Sequence, residues 1–242
     1  MLIITDCMLV PLRSSIDFAT APALKAHLDA MQRGGVKRVI LDFDQVTYLD
    51  SSGLAVIINK FKDMQCTGGT LTFCNVSEPI LKKLRLGRLL DIIPTIPKKS
   101  RIEIKPLPKG TLPRNRYALR IDERSLEFAR EELRSFFQQL PLSTDEVFDL
   151  TLATGEACGN VVLHTPSKIG FVTIEVFDDR INIEVVDDGP GYEIGQDELP
   201  PQTLDHGRGI RIMRMLVDNV RIKKKINGPG TIVKMVKLFN TG

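Results

Sequence analysis

TLATGEACGNVVLH at residues 151–164, DDGPGY at 187–192 and GRG at 207–209 are three stretches whose order decides the fold of the second half of this chain. Glu156 and Asn160 stand four apart, so on a helix they leave the same face about one turn from each other. Asp187 ends the apolar strand pattern INIEVVD and is followed by glycines at 189 and 191. Gly207, Arg208 and Gly209 open IRIMRML, an amphipathic run of helical spacing. A helix, a strand with an acidic glycine turn, and a glycine pair opening another helix imply an α/β layer arrangement.

The flanking sequence extends this reading. Tyr117–Ile121 is expected as a strand, and Leu126, Ala129, Leu133, Phe136 and Leu140 keep helical spacing until Pro141 stops them. Thr144 is expected to cap the helix that carries Glu156 and Asn160. Phe171–Phe177 and Ile181–Val186 alternate as a hairpin through Asp178, Asp179 and Arg180. A helix over 210–217 and strands near 220–225 and 232–238 complete the half. Lys223, Lys224 and Lys225 read as a solvated turn or strand end.

Five of the fourteen prolines, Pro94, Pro97, Pro106, Pro108 and Pro113, fall in one lysine-containing stretch. Such a stretch cannot sustain a helix. We therefore expect domains at 1–97 and 114–242 joined by a linker at 98–113, within which 101–105 also alternates as an edge strand would. In the first half, Leu9–Leu12 reads as extended and Thr20 as the cap of a helix to about Gln32. VKRVILDF (36–43) reads as a buried strand, Ser52–Cys66 as a helix ended by Gly68 and Gly69, Leu71–Val76 as a strand, and Ser77 with Pro79 as the start of a helix to Leu86. That order predicts a small α/β domain with a mixed sheet.

With 242 residues, 43% of them hydrophobic, the chain is long enough for two cores. Its net charge of +3, from 33 basic and 30 acidic residues, gives no electrostatic case for nucleic acid or an anionic membrane as main partner. Cys7, Cys66, Cys74 and Cys158 form no CxxC pair and the three histidines are scattered, which leaves a zinc or redox motif little support. No apolar stretch approaches the ~20 residues needed to cross a bilayer. A cytoplasmic protein is expected.

The residue types suggest ATP. A carboxylate at 156 can orient a hydroxyl or take its proton, and the Asn160 amide oxygen suits Mg²⁺. Asp187 can accept from an adenine amino group while Gly189 and Gly191 let backbone approach the base. The free amides opening the helix at Gly207–Gly209 suit phosphate. Residues 193–206 would then form a lid, and Gly230 with Thr231 would close the adenine side or simply start a strand. Taken singly, these features read as a solvated helix face, a β-turn and a helix entry.

Taken together, residues 114–242 resemble the anti-sigma factor serine kinases of the GHKL ATPase superfamily, an α/β sandwich with ATP under a lid. The resemblance implies Glu156 as the catalytic glutamate, Asn160 as the Mg²⁺ ligand and Asp187 as the adenine-binding aspartate. It likewise implies Gly189 and Gly191 as the first glycine box, Gly207, Arg208 and Gly209 as the second, and Thr231 at the nucleotide; His164 also fits the pattern. Two departures stand out: Gly159 where the family usually has threonine, and TPSK at 165–168 where it has an aromatic-containing turn. LDFDQVTYLDSSGLAVII (41–58) resembles the STAS domain of anti-sigma factor antagonists, which implies Ser51 as the phosphoacceptor.

The two resemblances imply a partner-switching regulator of a sigma factor, with the kinase acting on the STAS serine in cis, across a dimer, or on a separate antagonist. The expected partners are a sigma factor, other STAS or kinase proteins and the chain's own STAS domain, with a homodimer implied by resemblance. The alternative is a non-catalytic ATP-binding adaptor that recruits partners through its STAS domain. A linker at 98–113 would span up to roughly 50 Å and give an effective concentration on the order of millimolar.

Overall fold

In the computed structural model, which describes residues 7–13, 15–96, 104–195, 198 and 207–239, the chain divides into two compact units, Met1–Lys99 and Ser100–Gly242. In the first, strands β1 (Cys7–Pro11), β3 (Arg38–Asp42), β5 (Thr70–Cys74) and β6 (Thr95–Ile96) form a four-stranded sheet in the order β1-β3-β5-β6. Every pairing in it is parallel, so the mixed sheet expected there shows only parallel neighbours among the described residues. Leu41, Phe43, Leu71 and Phe73 are fully buried, as the near-continuous apolar runs of a parallel sheet require.

Helices α1 (Ala21–Arg33), α2 (Ser51–Cys66) and α3 (Glu78–Leu86) complete this unit, together with the short pair β2 (Ser15–Ile16) and β4 (Tyr48–Leu49). Thr20 sits at the N-cap of α1 but makes no cap bond. Its hydroxyl instead accepts from the Asp17 N–H and turns toward the Ser15 and Asp17 carbonyls, while the Asp17 carboxylate takes the Ala19 and Thr20 N–H groups. Between α1 and α2, Lys60 is only 3% exposed and its ammonium is shared by Asp29 and Gln32. Hydrogen bonds from Lys25 and then Lys60 hold the Asp29 carboxyl down to about 2.

The second unit is a five-stranded antiparallel sheet in the order β10-β11-β9-β8-β7, from β7 (Asn115–Ile121), β8 (Gly170–Val176), β9 (Arg180–Asp187), β10 (Asn219–Lys224) and β11 (Thr231–Leu238). Helices α4 (Leu126–Gln138), α5 (Thr144–His164) and α6 (Arg208–Leu216) pack with it, α5 lying against both α4 and α6. Leu133, Phe137, Leu150, Ala153, Val172, Ile174, Ile183 and Ile212 fill the core. The cap of α5 is Ser143 rather than Thr144. Ser143 and Glu146 form a reciprocal capping box, which takes the helix start one residue earlier.

Part of the proline-rich stretch is fastened to this unit. The buried Arg180 guanidinium forks onto Asp179 and donates from Nη1 to the Lys105 carbonyl at 2.7 Å. Residues 98–103 lie outside the described residues, and with them most of the edge strand considered at 101–105; residues 104 and 105 are described and form no strand. Among the described residues no helix is long and apolar enough to cross a membrane.

Candidate functional site

The site of the second unit is built where the end of β9, the C-terminal half of α5 and the start of α6 meet. Glu156 and Asn160 are half-buried on α5. Gly209, the second residue of α6, faces them directly: a Cβ built there would lie 3.0 Å from Glu156 Oε2 and 3.6 Å from Asn160 Nδ2. Glycine at 209 thus lets a helix N-terminus approach a carboxylate–amide pair closely. Gly207, at φ 97, turns the chain into α6 in a conformation that favours glycine, and as the N-cap residue it has no side chain to bond the first turn.

Asp187 is fixed by its own turn. Its Oδ1 accepts from the Gly189 N–H at 2.8 Å and from the Thr231 N–H at 3.0 Å. That bond joins β9 to the start of β11 and leaves Oδ2 for another donor. Gly191 (φ 80) and Gly230 (φ 130) both lie in the left-handed region, and a Cβ at 230 would fall 2.1 Å from the Asp187 carbonyl oxygen. Thr231 Oγ1 accepts from the Tyr192 N–H, tying the two glycine turns together.

Sequence reasoning missed several residues that hold this turn. Ser167 donates to Asp188 Oδ1 at 2.6 Å, and Thr165 Oγ1 would lie 3.3 Å from a Cβ at Gly189. The TPSK segment therefore braces the acidic glycine turn. Lys224 and Lys225, read as part of a solvated run, lay their stems against Gly191 and Gly230. Ser-x-x at a helix end was a weak signal for the first contact; the second joins residues distant in sequence and had none. The Gly159 departure leaves room, since a Cβ there would meet nothing within 4 Å.

The donor set fits Mg·ATP. An uncapped helix start offers amide N–H groups and positive dipole to phosphates, and Asn160 offers one oxygen ligand. Among the described residues no cluster of three or more His, Cys, Asp or Glu could hold a metal ion. The Arg208 side chain and the lid expected at 193–206, apart from residues 193–195 and 198, lie outside the described residues. Nearby Cys158 is fully buried, and desolvation pushes its thiol up to about 12, so it is an inert packing residue.

In the first unit, Asp50 caps α2: its Oδ1 accepts from the Ser52 and Gly53 N–H groups at 2.8 and 3.0 Å, and its Oδ2 from the Phe18 N–H at 3.2 Å. Ser51 is thereby relieved of capping and stands exposed in the first turn. Gly53 is buried, and a Cβ there would lie 2.6 Å from Ile16 Cγ2, so the helix start is pressed against β2.

A STAS domain model matches residues 1–101 and a histidine kinase-like ATPase domain model matches residues 119–237. The chain belongs to both families, one in each half. An anti-sigma F factor of Caldanaerobacter subterraneus subsp. tengcongensis is 33% identical over 119 residues, covering 46% of this chain and 82% of that protein. The serine-protein kinase RsbW of Bacillus subtilis is 36% identical over 110 residues, 40% of this chain and 67% of its own length. An anti-sigma F factor antagonist of Paenibacillus polymyxa is 30% identical over 88 residues, covering 36% and 75%. The STAS and ATPase domains thus join, in one chain, likenesses to an antagonist and to kinases.

Proposed function

We propose that the ATPase domain is an ATP-dependent protein serine kinase of a partner-switching system that regulates a sigma factor, and that its substrate is a STAS serine: Ser51 of this chain, in cis or across a homodimer, or its counterpart in a separate antagonist. The observation that carries this reading is the close approach of the α6 start, at Gly209, to the Glu156–Asn160 pair of α5, with a glycine and no capping side chain at the N-cap. There Glu156 orients the attacking hydroxyl or accepts its proton, and the amides from Gly207 to Gly209 hold phosphate oxygens. Asn160 would hold Mg²⁺, whose charge offsets that of the phosphates when it is bound. Asp187 and Thr231 place the adenine, with Gly189 and Gly191 admitting its flat face.

The exposed hydroxyl of Ser51 supplies the acceptor, and a phosphate of about −1.5 to −2 charge there changes which partner the STAS surface accepts. A cytoplasmic setting follows from that role. The test is intact mass and peptide mapping after incubation with Mg·ATP. One phosphate on Ser51, lost in both Glu156→Ala and Ser51→Ala, is the expected result. ATP binding with no phosphate on this chain or on an added STAS protein would replace this reading with the adaptor.

A further inference from the structure

The surface beside Ser51 carries a cation already in place. Lys83, in the last turn of α3, donates from Nζ to the Leu49 carbonyl at 3.0 Å, and the same ammonium lies 4.6 Å from the centroid of the Tyr48 ring. Leu49 is two residues before Ser51, so a side chain from a different helix is anchored at the edge of the phosphoacceptor turn. Lys83 is itself exposed and has no acidic partner among the described contacts; it is held by a neutral carbonyl and an aromatic face.

A phosphate on Ser51 would stand at a helix start, which favours an anion, but beside fixed negative charge. Asp50 precedes it, with both carboxylate oxygens engaged by backbone N–H groups, so that negative charge stays where it is. Asp17, whose carboxylate is likewise held by the Ala19 and Thr20 N–H groups, lies in the loop whose next residue, Phe18, donates to Asp50. Asp50 and Asp17 are therefore fixed negative charges at this turn, and Lys83 from α3 is a cation held beside it.

We propose that Lys83 is the positioning residue that receives a phosphate on Ser51, leaving the Leu49 carbonyl and the Tyr48 ring as it does so. The bond to the Leu49 carbonyl has one charged partner, whereas a bond to a phosphate oxygen has two and adds their direct attraction, which exceeds what an exposed cation–π contact supplies. The exchange is therefore favourable for a flexible lysine already held at the Leu49 carbonyl. Its consequence is a change of surface as well as of charge. Tyr48, 49% exposed, loses the cation on its face, beside the loop that carries Phe18 at 81% exposure. A partner that reads this aromatic edge would meet it altered by the modification.

This inference rests on Ser51 as the phosphoacceptor, and its test is made independent of the kinase. Phosphoserine is installed at position 51 of the full chain during translation, and its ³¹P resonance is followed against pH. An unperturbed phosphoserine has its second pKa at about 6. With Lys83 present the value is expected to be lower by about half a unit than in Lys83→Gln. Lys83→Arg should restore the shift, whereas Lys82→Gln, which removes the same charge from the adjacent exposed position, should leave it unchanged. Identical titrations in the parent and Lys83→Gln, or an equal effect of Lys82→Gln, would overturn the assignment. A chain that shows the shift but never phosphorylates Ser51 from ATP would overturn the kinase reading and leave the Lys83 contact standing.

Discussion

Helices α2 and α6 begin with the same problem, a set of backbone N–H groups with no carbonyl partner, and meet it in opposite ways. At α2 the Asp50 carboxylate takes the Ser52 and Gly53 N–H groups, so the turn is satisfied from within and its serine hydroxyl is left outside. At α6 Gly207 supplies no side chain, and Gly209 lies close against Glu156 and Asn160. One start is capped by a carboxylate and leaves a serine hydroxyl exposed; the other has a glycine in that place and, as proposed, accepts an anion. The difference lies in one position, aspartate against glycine, which lets the comparison be broken from either side.

The largest effect is expected from giving α6 the kind of cap that α2 has. Gly207→Asp would place a carboxylate at the amides proposed to hold phosphate, in a φ of 97 that aspartate tolerates better than most residues. Calorimetric titration with Mg·ATP should show affinity reduced about 100-fold, some 2.7 kcal/mol. Unchanged binding would mean that the phosphates lie elsewhere. The converse change, Asp50→Ala, opens α2. It should lower the stability of the STAS domain by ~1–2 kcal/mol, because three N–H groups lose their acceptor. Denaturant unfolding measures this, and a loss below ~0.5 kcal/mol would show that water replaces the cap at little cost.

Both helix starts were legible in sequence to within a residue or two, because a small polar or glycine position precedes a long apolar period. What was not legible is which neighbour does the capping. Thr144 and Thr20 have the right chemistry, yet Ser143 with Glu146 forms a box at one start and Asp17 draws the threonine into its own turn at the other. The pairs β2, β4 and β6 have two residues each and carry no periodic signal. A lysine is ordinarily solvent-facing, and the approach of Asp29 and Gln32 from α1 accounts for the burial of Lys60. Likewise the site's order of motifs lay in the sequence, while its closure, Gly209 against Glu156 and Ser167 against Asp188, depends on packing of elements far apart in the chain.

The smallest effect sharpens the comparison at Gly159, between Glu156 and Asn160. Here glycine answers no geometric need: its φ is not in the left-handed region and an added Cβ would meet nothing within 4 Å. It differs in this from Gly209, where the same added atom crowds a carboxylate, and from Gly230, where it strikes a carbonyl. Gly159→Ala should therefore raise stability by ~0.5–1 kcal/mol through the lower entropy of the unfolded chain and better helix propensity. The gain is read as a shift in the denaturation midpoint at constant slope. If the glycine serves only as an unfilled position, Mg·ATP affinity stays within about twofold of the parent. If affinity falls while stability rises, the looseness that glycine gives to α5 beside Asn160 is itself part of how the site takes up its nucleotide.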